Sequence, residues 1–174
     1  MITKISKITS LSLCNKDSYP CAIVICILSM QYQKIQDKYI IRIDKGELVH
    51  ATLHQFCNEH DIKNALISAI GAVEFVRCGI YDLTARAYNF EEYEQIVEVV
   101  SYTGNIAPNV DGLFVHAHGT FSDHGNSVFG GHVDEMRVGV VLEVTLEPLP
   151  SQMTRTYDEQ TGLYLLNLPN KSIK

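Results

Sequence analysis

The chemistry in this chain gathers around three of its seven histidines. His116 and His118 lie in Val115-His116-Ala117-His118-Gly119-Thr120. Residues two apart on a strand share a face, so this spacing sets two imidazoles side by side. Fourteen residues after His118 comes His132, in Gly130-Gly131-His132. Paired glycines allow a tight turn and a close backbone approach, which is one way to fold a third imidazole onto the first pair. Three imidazoles without a thiolate suit zinc, and also nickel, cobalt or iron. Zinc is the default, and three protein ligands leave a fourth position for water or a substrate atom. An open site of that kind can lower the pKa of a bound water to ~7 and run hydrolysis or hydration. It can equally hold an inert water or take a ligand from a neighbouring subunit. The plain alternative is a set of surface histidines.

Few other residues qualify for such a site. Glu98 sits inside the otherwise apolar Gln95-Ile-Val-Glu-Val-Val-Ser101, where a carboxylate must be paired or solvated. It is the candidate catalytic group, against the reading that it lies on the exposed face of an amphipathic strand. Glu143 is a weaker case of the same kind. Ser101, Thr103 and Asn105 beside Gly104 can orient a small ligand, although a hairpin turn explains them as well. His50 and His54 are four apart, a spacing that can bind metal, but the solvated face of a helix accounts for them. His60 falls near that helix's end, where a cation suits the dipole, and His124 falls on a loop tip. Cys57 reads as core and Cys78 as a strand residue, with no basis for a reactive thiol.

These residues need elements to position them. Lys38–Ile43 is β-branched and aromatic, and Asp44-Lys45-Gly46 reads as the turn after a strand. Val49, Leu53, Phe56 and Cys57 then recur at i, i+4, i+7 and i+8, one face of a helix over Glu47–His60, with Asp44 placed to cap it. Beyond Asp61 the period is mostly two. Strands are expected at Ala65–Ile70 (ended by Gly71), Val76–Tyr81, Gln95–Tyr102, Leu113–Phe121 and Val138–Leu146, with a tail through Gly162–Leu168. The expected class is α+β, a largely antiparallel β-sheet with one main helix packed on it.

Composition narrows the function classes. The 174 residues carry a net charge of −6, unlike the basic, Lys/Arg-clustered domain expected of a nucleic-acid binder. Lys4, Lys7 and Lys16 against Asp17 put +2 in residues 1–30, which leaves −8 for the rest. Five cysteines without a CxxC pair suggest neither a disulfide framework nor a thiolate zinc site, so a reducing, cytoplasmic compartment is expected. The apolar run Cys21–Leu28 is too short to span a membrane, which takes ~20 residues. A secretory signal is one reading, with Lys4 and Lys7 as its basic start, but no small-residue cleavage pattern follows Leu28, and Lys16 and Asp17 interrupt the approach to the run. An extra strand is a second reading of this stretch. The favoured one is an N-terminal extension, residues 1–30, upstream of a natural start at Met30, followed by one domain over 31–174.

Several of these motifs occur together in one known family. Arg42-Ile-Asp-Lys-Gly-Glu47, Ile70-Gly-Ala72, Glu98-Val-Val-Ser101 with Gly104-Asn105, His116-Ala-His118, Gly130-Gly-His132 and the tail Tyr157–Leu163 resemble the plants and prokaryotes conserved (PPC) domain, over about Tyr39 to Leu168. The resemblance implies a compact α+β subunit that assembles as a homotrimer, with His116, His118 and His132 matching the family's metal-binding trio. In plants the domain is fused to AT-hooks in transcriptional regulators, and prokaryotic members are commonly labelled DNA-binding. This chain has no Arg-Gly-Arg-Pro segment to enter a minor groove, so DNA as a partner rests on the resemblance, and weak binding is expected. Three functions compete: a trimeric metal-binding module with a regulatory role through DNA, protein or small-ligand contacts; a metal-dependent enzyme acting on a small polar substrate; and a purely structural metal that rigidifies the trimer.

Overall fold

The computed structural model describes residues 30–150 and 152–168. The readings of Met1–Ser29, including Cys14, Cys21 and Cys26, lie outside them. The elements in order are β1 (Gln31–Ile35), β2 (Lys38–Asp44), α1 (Val49–Glu59), β3 (Ala65–Asp82), β4 (Ala87–Tyr93), β5 (Val97–Asn109), β6 (Gly112–Ser122), β7 (Val128–Pro148), β8 (Thr154–Asp158) and β9 (Leu163–Asn167).

The first seven strands form one antiparallel sheet in the order β1-β2-β7-β6-β5-β3-β4. β7 also pairs with β3, and this closes β3, β5, β6 and β7 into a ring. Closure removes the exposed edges that these long strands would otherwise present. Tyr102, Phe121, Met136 and Leu142 fill the buried side.

Helix α1 packs on β6 and β7. Val49, Leu53, Phe56 and Cys57, the positions that spacing assigns to one face, are all fully buried. Burying Leu53 and Phe56 stabilises the fold by about 1.5–3 kcal/mol each. The helix is not capped as expected. The Asp44 carboxylate is held by Arg42 at 2.8 and 3.3 Å, and it is Glu135, on β7, that accepts from the His50 N–H at 2.8 Å. At the other end Asp61 takes a left-handed conformation (φ 53°), which Asp tolerates better than most residues, and Ile62 N–H donates to the Cys57 carbonyl at 2.8 Å.

The α+β expectation is overturned. Strands hold 67% of the described residues and helix only 8%, so the fold is β-rich with one short helix. Segments read as stops between short strands are strand. β3 runs from Ala65 through Gly71 to Asp82, with a register shift at Gly71, where φ is +147°. The shift in pairing absorbs the glycine, so it does not end the strand. Thr103-Gly104-Asn105 and Gly130-Gly131 are likewise inside β5 and β7. β1, β4 and β8 were not anticipated. No described helix is long and apolar enough to cross a membrane.

Candidate metal centre and adjoining cavity

His116 and His118 project from one face of β6, and His132 on β7 lies directly opposite His118 in the ladder. The three ring centroids are 5.3–5.6 Å apart. One ligand atom from each ring lies within 4.8 Å of the others, so the trio could hold a metal ion. The paired glycines act through closeness and make no turn. A Cβ on Gly130 would stand 2.2 Å from the Gly119 carbonyl oxygen, and one on Gly131 would stand 2.6 Å from that of Gly79. Only glycine lets β7 lie this close to β6 and β3, which is what brings His132 level with His118.

The rings are suited to donating lone pairs. Burial pushes the His116 pKa down to about 4, helped by the Arg155 guanidinium and by His118. Burial, with His116, His118 and Arg155 adding, brings His132 to about 4 as well. Both are therefore neutral near pH 7, the form that binds metal. The Nδ1 atom of His132 is buried and has no hydrogen-bond partner, which is costly for a polar atom unless something else accepts its lone pair. Tyr88 of β4 stacks on His132 at 4.5 Å, and Phe114 lies parallel to His116 at 6.4 Å. Neutral nitrogen donors, one of them orphaned, fit a zinc-type ion.

Beside the trio is a cavity of about 500 Å³ whose lining includes Tyr88, Asn105, Phe114, His116, Arg155 and Leu165. The β8–β9 hairpin forms part of its wall. Arg155 donates to the Asn105 side-chain oxygen at 2.7 Å and to the Tyr164 carbonyl at 3.1 Å, while Tyr81 donates to the Thr161 carbonyl at 2.7 Å. A second cavity of about 320 Å³ touches His132, with His50 and Glu135 in its lining. A third, about 510 Å³ between His60 and Pro150, includes none of the trio.

The structure does not bring Glu98 to the histidines. It is exposed and pairs with Ser122, five residues along β5 from Thr103, the partner of His118. Glu143 is exposed on β7. Thr103 and Asn105 do lie beside the trio, opposite His118 and His116 in the ladder. His50 is not solvated: it is buried, its Nε2 lies 2.8 Å from the Tyr102 hydroxyl, and burial lowers its pKa to about 3. His54 is half-buried, His60 packs on Phe56 at 4.3 Å and His124 is exposed in the β6–β7 loop. Cys57 and Cys78 are buried free thiols, and burial raises Cys57 to about 12. Sequence reasoning missed Arg155, Tyr88 and Glu135. No local pattern marks them, because each reaches its position through long-range pairing.

Comparison with known proteins follows the same lines. No curated protein matches the chain. Among solved structures it is similar to a Bacteroides thetaiotaomicron protein provisionally named as DNA-binding (26% identity, TM-score 0.77, 81% of this chain and 99% of that one). A Ralstonia eutropha protein with the same provisional name is 29% identical (TM-score 0.75, 79% and 96% covered). A metal-containing protein from Archaeoglobus fulgidus is 32% identical (TM-score 0.70, 80% and 96% covered). The family model for the Plants and Prokaryotes Conserved (PCC) domain matches residues 30–150, stopping short of the Tyr157–Leu163 segment. Together with the ring of strands that carries His116, His118 and His132, this match establishes that the chain belongs to the Plants and Prokaryotes Conserved domain family.

Proposed function

We propose that this protein is a metal-binding module of its family, in which His116, His118 and His132 hold one divalent cation, zinc before the others. The observation that carries the reading is the clustering of three imidazoles whose ligand atoms lie within 4.8 Å of one another, one of the rings, His132, having a buried Nδ1 without a partner. The metal-containing relative from Archaeoglobus fulgidus supports it. A cation bound by three imidazoles supplies a Lewis-acid centre with an open position. The protein's own residues do the rest: Gly130 and Gly131 set the strand spacing, and Tyr88 and Phe114 flank two of the rings. Elemental analysis of the purified protein is the test, with about one ion per chain expected. Native protein without divalent metal after zinc loading would overturn the reading.

Assembly as a homotrimer belongs to the same reading. Leu66, Ile70, Val100 and Val140 are exposed apolar residues on strands β3, β5 and β7, and a second copy would cover them. Sedimentation at micromolar concentration should give a trimer, and a stable monomer would contradict it. A cytoplasmic location is the matching expectation.

The provisional names of the Bacteroides and Ralstonia proteins supply the DNA reading. Electrostatics favour a regulatory role through protein or small-ligand contacts over direct DNA binding. Of the nine basic residues described, six are in ion pairs, including Arg42 with Asp44, Lys45 with Glu74 and Lys63 with Asp61. Duplex affinity needs Lys and Arg that can displace counterions from phosphates. Titration of labelled duplex at ~0.15 M salt, where the Debye length is ~8 Å, should therefore show little binding. Saturable sub-micromolar binding would restore the DNA role. The metal-dependent enzyme acting on a small polar substrate remains the alternative, favoured by the cavity that His116 shares.

A further inference from the structure

We infer that the cavity of about 500 Å³ beside His116 binds a small organic carboxylate, its oxyanion held by Arg155 and its apolar body by the β8–β9 hairpin. The inference goes beyond the metal reading and does not depend on it.

Arg155 is only 7% exposed. Its guanidinium donates to two neutral oxygens, those of Asn105 and Tyr164, and its Nε is buried with no acceptor. None of the ion pairs among the described residues includes it. A buried cation is costly unless an anion accompanies it. Phe114, 5.3 Å beneath the guanidinium, offers a ring face but no counter-charge. Joining β8 to β9 and the hairpin to β5 explains the two hydrogen bonds, and a neutral amide would serve that purpose. It does not explain the charge.

The cavity supplies what is missing. No Asp or Glu lines it, in a chain whose net charge is −6. Arg155 and His116 mark its polar side, and Phe114, Leu163, Leu165 and Leu166 present hydrocarbon. A volume near 500 Å³ falls within the ~300–1,000 Å³ range of small-molecule sites. A guanidinium binds a planar carboxylate through two parallel hydrogen bonds, so an anion with a compact apolar body matches both walls. A bare phosphate would leave the apolar wall wet.

Calorimetric titration of the full chain with benzoate, benzamide and inorganic phosphate is the test. Benzoate should bind saturably at one per chain, with benzamide at least ~10-fold weaker, as loss of a charge-assisted contact implies. Arg155→Gln should weaken benzoate by a similar factor. Leu165→Trp, at a position 44% exposed, keeps the guanidinium but fills the cavity, and should block benzoate without changing the melting temperature. Equal binding of benzoate and benzamide, undiminished binding by either variant, or phosphate binding tighter than benzoate would overturn the inference. Metal content measured on the same samples separates the two readings. Metal-free protein that binds benzoate through Arg155 would sink only the metal reading, and metal-loaded protein indifferent to benzoate would sink only this one.

Discussion

His50 and His132 are buried almost equally, at 9% and 8% exposure, and burial is the main reason that both rings stay neutral, with pKa values near 3 and 4. They differ in what their nitrogens meet. His50 Nε2 lies 2.8 Å from the Tyr102 hydroxyl, and its backbone N–H donates to Glu135, so the fold accounts for it as a link between α1, β5 and β7. His132 Nδ1 has no partner, and two other imidazoles converge on its ring. A depressed pKa is therefore common to both histidines and does not tell them apart. The unmet hydrogen bond does, because a buried polar atom without a partner costs ~1–3 kcal/mol.

The sharpest way to break this contrast is with metal. Zinc supplied at ~100 times its Kd should stabilise native protein by ~2.7 kcal/mol. His118→Ala should lose nearly all of that shift, and His50→Gln should keep it, as read by the melting temperature with and without zinc. A full shift in His118→Ala would remove the distinction between the two sites.

Acidification gives a smaller effect, from the structural side. Folded His50 protonates only near pH 3, whereas the ordinary histidine value is 6.5. The unfolded chain thus takes up a proton that the folded chain refuses. Stability from this group is complete above pH ~6.5 and falls as the pH drops towards 3, by up to ~1.4 kcal/mol per pH unit. Tyr102, Glu135, His54 and His132 are the titratable neighbours in play. Urea midpoints of metal-free protein at pH 7 and pH 5 should show a shallower loss in His50→Gln. An unchanged slope would assign the effect elsewhere.

The smallest change should come from Tyr102→Phe, which deletes the hydroxyl that His50 meets. A cost of ~1 kcal/mol in denaturant midpoint is expected, with zinc content unaffected. Loss of metal from this variant would show that the two histidine environments act as one unit.

Much of the local structure was legible. The i, i+4, i+7, i+8 spacing found the buried face of α1, because an amphipathic helix repeats within its own sequence. The H-x-H spacing put His116 and His118 on one face for the same local reason. Glycine misled. Gly71 reads as a strand end and Gly130-Gly131 as a tight turn with a close backbone approach; only the close approach is found, all three glycines lie inside long strands, and the expected class gives way to a β-rich ring.

Periodicity is a property of neighbours along the chain, and it reports which face a side chain takes. It carries no information on which strand lies alongside. The amino-acid sequence alone therefore determined the H-x-H face, the helix face, the acidic balance and the family. The tertiary structure decided the pairing of His118 with His132 and the reach of Arg155 to Asn105, fifty residues away. It also decided that Glu135, and not Asp44, meets the start of α1. Those contacts depend on the register of a closed sheet, which is fixed only when backbones approach as closely as Gly130 and Gly131 allow.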